Sequence, residues 1–91
     1  MPFELEATEL VNRKFLKISK KNRGLLEIIS KKVKQILENP YHFKPLRGSM
    51  HGERRVHIDG SFVLTYEVDE QRKVVKLLDF DLHDKVYGQS G

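Results

Sequence analysis

The sequence contains no cysteine, which excludes disulfide bonds and thiolate chemistry and fits a reducing compartment. It also has no apolar run approaching the roughly 20 residues that a membrane-spanning helix needs. Near the N-terminus the apolar residues are separated by Glu4, Glu6 and Glu9, so we expect no signal peptide. These absences predict a cytoplasmic protein without membrane contact.

The length of the chain excludes a second domain. Its 91 residues suffice for one hydrophobic core, and we expect a single domain over residues 1–91. The hydrophobic share of 38% against 33% charged residues is typical of a soluble globular protein.

Positive charge is concentrated in one part of the chain. Residues 13–55 contain 13 lysines and arginines against 3 acids, a net charge of +10, whereas residues 1–12 and 56–91 each carry −3. Solvated helix faces explain any single lysine equally well. A block this one-sided nevertheless favours a polyanionic partner, nucleic acid before membrane.

The first half of the chain predicts a helical hairpin. Thr8 is a helix cap followed by apolar residues at Val11, Phe15 and Ile18, and lysines end the helix. After the short SKKNRG stretch, a second apolar stripe over residues 25–37 ends before Asn39-Pro40. Two helices joined by so short a turn should pack antiparallel.

The second half predicts three strands, Arg54 to Ile58, Phe62 to Val68 and Lys73 to Phe80, with FELEA near the N-terminus as a further short edge strand. A three-residue turn at 59–61 sets Ile58 opposite Phe62 and gives one apolar face. The outer face then carries Arg55, His57, Val63, Thr65 and Glu67. The predicted fold is α+β, an N-terminal helical hairpin on one face of a three- to four-stranded antiparallel sheet.

Simple catalytic motifs are missing. The histidines at 42, 51, 57 and 83 show no zinc-ligand spacing, so we expect no metal and no cofactor, and neither Ser49 nor Ser61 lies in a nucleophile motif. What remains is Arg55 and His57 on one strand face, and His83 four residues before Tyr87. Each has an ordinary surface or packing explanation, but a neutral-range base, an acid and cations together suit metal-free phosphodiester transfer.

The stretch NPYHFKPLRGSMHGERRVHIDGSFVLTYEVDEQRKVVKLLDFDLHDKVYG resembles the RelE superfamily of toxins. The resemblance rests on the helix-ending Asn-Pro, a Leu-x-Gly turn at 46–48, a basic strand, a strand ending in Tyr66 and a terminal aromatic. The Lys-rich helical hairpin before it is similar too, so nearly the whole chain is covered. The histidine arrangement looks most like the YafQ branch, whose members cleave messenger RNA on the ribosome.

The resemblance implies roles for particular residues. His57 and His83 match the branch's strand and C-terminal histidines, Tyr87 its terminal aromatic, and Lys44 the place of a further histidine. Together with Arg55, they form the implied catalytic set for an RNA endoribonuclease. The residues expected to bind RNA are Arg47, Arg54, Phe62, Lys17, Lys20 and Lys21. The implied partners are an antitoxin with an acidic, RelB-like segment, held in a hetero-oligomer, and the ribosome with its messenger.

Two departures from the family pattern keep other functions open. Ser61-Phe62 replaces an acid-aromatic pair. RelE-type relatives use an arginine after the last strand, whereas this chain offers Asp79 and Asp81, which would repel a phosphate. A ParE-like inhibitor of DNA gyrase, or a relative that only binds antitoxin or RNA, are the alternatives. Dispensable histidines would favour the gyrase inhibitor.

Overall fold

The structure, a computed structural model, describes residues 3–45 and 52–82. Its elements follow the order of β1 (Glu4–Ala7), α1 (Glu9–Lys21), α2 (Arg23–Glu38), β2 (Arg54–Ile58), β3 (Phe62–Asp69) and β4 (Val74–Leu82). Two helices pack on one face of a four-stranded sheet with the strand order β1-β4-β3-β2. The predicted α+β fold is therefore confirmed.

Both helices begin at a side-chain cap. The Thr8 hydroxyl accepts a hydrogen bond from the Val11 amide at 3.2 Å and opens α1. The Asn22 side chain accepts one from Leu25 at 3.1 Å, so a single residue separates the helices. Ser, Thr, Asn and Asp are favoured at this position because they satisfy an amide that the helix leaves unpaired.

The core lies between the helices and the sheet. The helices contribute Val11, Leu25, Ile29 and Ile36; the sheet contributes Val56, Ile58, Leu64, Tyr66, Val75, Leu77 and Phe80. The helical members recur at the spacing of one helix face, and β2 and β3 contribute every second residue. Burial of these side chains holds the hairpin against the sheet.

The β2–β3 hairpin has the predicted register. Ile58 pairs with Phe62 and Val56 with Leu64. The turn between them places Asp59 (φ 53°) and Gly60 (φ 73°) in the left-handed region, which glycine adopts without strain and aspartate tolerates.

Three features differ from the predictions. β1 pairs with β4 in parallel, so the sheet is mixed. β4 extends two residues beyond Phe80. On the predicted outer face, Val63 (0% exposed) and Thr65 (7%) are buried although Val63 lies outside the helix-facing core, so that face is not wholly open to solvent.

The β3–β4 ladder contains a bulge. Thr65 pairs with Asp79 and the next residue, Tyr66, pairs with Leu77, which leaves Leu78 as the extra residue of β4. Leu77 and Phe80 consequently both face the core, while Asp79 and Asp81 lie on the opposite face.

Candidate functional site

The residues that follow α2, here called the 39–45 segment, run beside the outer edge of β2. Pro45 forms an antiparallel bridge with Arg54. The Arg55 amide donates to the Lys44 carbonyl at 3.2 Å, and the Arg55 guanidinium donates to the Pro45 carbonyl at 3.1 Å. The segment thus continues the sheet past β2 and brings Lys44 next to Arg55.

Two side chains that point to the helix side fix the path of the same segment. The Tyr66 hydroxyl, which is buried, donates to the Pro40 carbonyl at 2.7 Å. Arg54 donates to the Phe43 carbonyl at 2.7 Å and lies 5.1 Å from the centre of the Tyr41 ring. Burial raises the pKa of Tyr66 to about 12, although the nearby charge of Arg54 lowers it, so the phenol stays protonated as the hydrogen-bond donor.

Between the 39–45 segment, α2 and β2 lies an open groove of about 410 Å³. Its walls carry three cations, two imidazoles and two apolar side chains: Lys32, Lys44, Arg55, His42, His57, Phe43 and Val56. The Lys32 ammonium lies 5.8 Å from the centre of the Phe43 ring, within the range of a cation–π contact. Such a groove can bind a phosphodiester through its cations and can exchange protons with it through an imidazole.

Three of the residues predicted to be catalytic lie together in this groove, namely Lys44, Arg55 and His57. Two further members, Lys32 and His42, are not among the residues predicted to be catalytic. The sequence predicts for Lys32 only the phosphate contacts expected of all lysines in the helical hairpin, and it offers His42 only as a metal ligand, which the histidine spacing does not favour. Their place in the groove depends on the path of the 39–45 segment, for which the sequence gives no local signal.

Other predicted residues lie elsewhere. Arg54 is engaged by the Phe43 carbonyl and the Tyr41 ring. Phe62 stacks on Phe80 with ring centres 5.0 Å apart and packs against the core, on the helix-covered face. Lys17, Lys20 and Lys21 are exposed on α1, which packs against β4 rather than β2. Contact of any of these residues with RNA stays a prediction.

His83, Tyr87 and Arg47 lie outside the described residues, and their roles also stay predictions.

The two acids of β4 have a cationic partner. The Lys14 ammonium donates to Asp79 at 2.8 Å and to Asp81 at 3.1 Å. Burial alone would lower the pKa of Lys14, but the hydrogen bonds and charges of the two carboxylates outweigh it and raise that pKa. Lys14 therefore stays charged between them.

Within residues 3–45 and 52–82, no three histidines or acids come close enough to hold a metal ion. Neither helix there has the length and apolar character that a membrane span requires.

Fold and site together define the class of protein: a small α+β protein with a cationic, histidine-lined groove beside an outer strand. Residues 5–87 match the family model described as the ParE toxin of the type II toxin–antitoxin system, parDE. The chain belongs to this family, and the resemblance to the RelE/ParE superfamily of toxins is confirmed.

Individual relatives agree with this assignment. A protein of Methanocaldococcus jannaschii, named provisionally as toxin RelE4, is 42% identical over 85 residues, which cover 93% of this chain and 90% of that protein. The structure of the intact Escherichia coli RelBE toxin–antitoxin complex contains a chain with a TM-score of 0.73 and 23% identity, covering 87% of this chain and 94% of that one. The E. coli DinJ-YafQ complex matches with a TM-score of 0.74 and 19% identity, over 97% of this chain and 100% of that one. At these identities the two solved structures share the fold.

Proposed function

We propose that this toxin is an endoribonuclease that cleaves messenger RNA on the ribosome and so stops translation. The observation that carries the proposal is the groove, where His57 lies with Lys44 and Arg55. Cleavage of RNA without a metal needs a base, an acid and fixed positive charge at the phosphate, and the groove supplies an imidazole with two cations.

In the proposed reaction the 2′-oxygen at the cut site attacks the adjacent phosphorus and the P–O5′ bond breaks. A base removes the proton of the 2′-hydroxyl, and an acid delivers a proton to the leaving 5′-oxygen. The products are a 2′,3′-cyclic phosphate and a 5′-hydroxyl. His83 is the leading candidate for general acid or base, and His57 takes the complementary role. Arg55 and Lys44 stabilise the charge of the phosphorane.

Tyr87 is proposed to orient the nucleotide or to stack on a base. The change Tyr87→Phe distinguishes the two roles, because retained activity indicates the ring and a large loss indicates the hydroxyl.

Dependence on the ribosome follows from the shape of the groove. In-line geometry is worth on the order of 7–11 kcal/mol in favourable cases, and an open groove cannot impose it on flexible RNA. A ribosome that presents the messenger already splayed would supply that geometry. Lys17, Lys20 and Lys21, which are exposed on α1, are the residues proposed to bind ribosomal RNA phosphates, and binding should then depend steeply on salt.

An antitoxin is the proposed protein partner. The two solved structures described above are both toxin–antitoxin complexes. The net charge of +10 over residues 13–55 suits an acidic, amphipathic segment laid over the helices and the sheet edge in a hetero-oligomer. Translating ribosomes as the target imply action in the cytoplasm.

One observation favours a second function. The family description names the ParE toxin, so we retain inhibition of DNA gyrase as the alternative. In that case the histidines of the groove would be dispensable for toxicity, and induced cells would fail to supercoil DNA while translation continued.

The deciding experiment incubates the purified toxin with one messenger, either alone or in a programmed ribosome, and maps the 5′ ends of the fragments. We expect efficient cleavage only on the ribosome, and its loss in His57→Ala. Equal cleavage of naked RNA would reject the ribosome dependence but not the nuclease. No cleavage in either arm, with gyrase supercoiling inhibited in a parallel assay, would support the alternative, and inactivity in all assays would indicate a relative that only binds.

A further inference from the structure

The outer face of the sheet carries two of the groove residues, Arg55 and His57, in the same cross-strand rows as the two acids. Arg55 pairs with Thr65 and Thr65 with Asp79, while His57 pairs with Val63 and Val63 with Asp81. Side chains of directly paired residues point to the same face of a sheet. Two strand spacings separate β2 from β4, so the backbone of the two acids lies about 10 Å from that of Arg55 and His57.

Two carboxylates at that distance oppose the binding of a phosphate. Unit charges about 10 Å apart still interact in ordinary buffers, because this separation is close to the screening length of about 8–10 Å. At low ionic strength the screening length is longer and the interaction is stronger. Binding of RNA in the groove is therefore favoured by a cation that reduces the combined charge of the two acids.

Among the ion pairs of residues 3–45 and 52–82, those of Lys14 join it to both acids. Its ammonium lies between the carboxylates at 2.8 and 3.1 Å, and all three side chains are partly buried. The raised pKa of Lys14, set out above, keeps it charged at any pH where RNA is bound.

We propose that Lys14 is a positioning residue for RNA binding, which offsets one of the two negative charges of Asp79 and Asp81 and holds both carboxylates toward α1. The inference rests on the proposed RNA-directed function and deepens it. It explains how a chain with two acids on β4 still presents a cationic site on β2. In this arrangement Lys14 acts through the acids and does not touch RNA.

A plain structural ion pair between α1 and β4 is the competing explanation. Partly exposed ion pairs contribute little to stability, so stability alone does not distinguish the two. The distinguishing observable is RNA affinity with and without the acids.

The test uses the full-length toxin and a short fluorescent oligoribonucleotide with a 2′-deoxy nucleotide at the cut site, so that binding is measured without cleavage. Fluorescence anisotropy gives the affinity at low and at moderate ionic strength. The variants are Lys14→Met, Lys14→Arg, the pair Asp79→Asn with Asp81→Asn, and all three neutral changes combined. Asparagine keeps the side-chain oxygen that accepts the amide of Phe80 or Leu82 in the present structure.

Lys34→Met is the matched control, because it removes the same charge from an exposed position of α2. Thermal unfolding of every variant shows that affinity is measured on folded protein.

We expect Lys14→Met to weaken binding by about three- to tenfold at low ionic strength and by less at moderate ionic strength. Lys14→Arg should restore affinity. The Asp79→Asn, Asp81→Asn pair should bind at least as tightly as the wild type, and adding Lys14→Met to that pair should cost no more than Lys34→Met does.

A triple variant as weak as Lys14→Met alone would overturn the inference, because Lys14 would then contact RNA itself. Weaker binding by the Asp79→Asn, Asp81→Asn pair would overturn it even if Lys14→Met failed to fold. A wild type that binds no oligoribonucleotide would overturn this inference, whereas the proposed cleavage on the ribosome is tested separately by mapping 5′ ends in the programmed ribosome.

Discussion

The cationic side chains beside β2 and beside β4 have different hydrogen-bond partners. At β2, Arg54 donates to the Phe43 carbonyl, whereas at β4 Lys14 donates to two carboxylates. A carbonyl orients a guanidinium without cancelling its charge, but a carboxylate offsets the charge of its cationic partner. We therefore expect hydrogen-bond partners, as well as the number of lysines and arginines, to decide which part of a basic chain attracts a polyanion.

The largest expected effect falls on the β2 side. If His57 transfers a proton, His57→Ala should reduce turnover of ribosome-bound messenger by about 100-fold or more while affinity stays within a few-fold. His42→Ala, in the same groove, should mainly weaken affinity. Single-turnover cleavage and ribosome binding measure the two quantities, and parallel losses of both in His57→Ala would make His57 a binding residue instead.

Next in size is the anchoring of the 39–45 segment by Arg54. Arg54→Met removes a hydrogen bond from a charged donor to the Phe43 carbonyl, and should lower the free energy of unfolding by about 1.5–3 kcal/mol. Arg13→Met, on the exposed surface of α1, is the control and should change it by about 0.5 kcal/mol or less. Urea denaturation provides both values; similar values would show that the carbonyl contact does not anchor the segment.

A smaller loss is expected for Tyr66→Phe. The change leaves the Pro40 carbonyl without its donor in a buried place, and should cost about 1–2 kcal/mol of unfolding free energy. Chemical denaturation at neutral pH measures this cost, and a loss near zero would mean that the carbonyl finds another donor.

The same residue has a pH signature. Since burial raises the pKa of Tyr66 from 10.0 to about 12, the unfolded chain releases this proton at a lower pH than the folded one. Wild-type stability should therefore be unaffected by Tyr66 below pH 10 and fall as the pH rises from 10 toward about 12. The fall should be shallower in Tyr66→Phe, though not absent, because the pKa of Lys14 is raised as well. Equal slopes would contradict the assignment.

The smallest effect concerns the β4 side, where Thr8 both caps α1 and donates its hydroxyl to the Leu78 carbonyl at 3.2 Å. Thr8→Val keeps the shape and removes both contacts, at a cost of about 1 kcal/mol. Thr8→Ser, which retains the hydroxyl, is the control. If Thr8→Val and Thr8→Ser have the same free energy of unfolding, the Thr8 hydroxyl contributes nothing to stability. Hydrogen bonds from side chains to backbone carbonyls would then stabilise the β2 side but not the β4 side.

Much of the fold could be predicted because its signals are local. Thr8 and the stripe from Val11 to Ile18 specify α1 through neighbours three or four residues away. The register of the β2–β3 hairpin could be predicted by comparing two turn lengths, since a three-residue turn, unlike a two-residue turn, sets Ile58 opposite Phe62 on a common apolar face.

The candidate site was only partly predictable because it is built from distant residues. Lys44, Arg55 and His57 were named from the sequence, but Lys32 and His42 join them only because Tyr66 and Arg54 direct the 39–45 segment along β2. The pairing of Lys14 with Asp79 and Asp81 spans 65 and 67 residues of sequence. No local pattern carries such information.

The extra residue at Leu78 shifts the alternation of everything that follows it in β4. With strict alternation from Val75 and Leu77, Asp79 and Asp81 would point into the core and Phe80 would point outward. Gain or loss of one residue here would exchange the two sides of the strand without altering any side chain. An alignment that misplaces a one-residue gap at this point would therefore match residues from opposite faces of the strand.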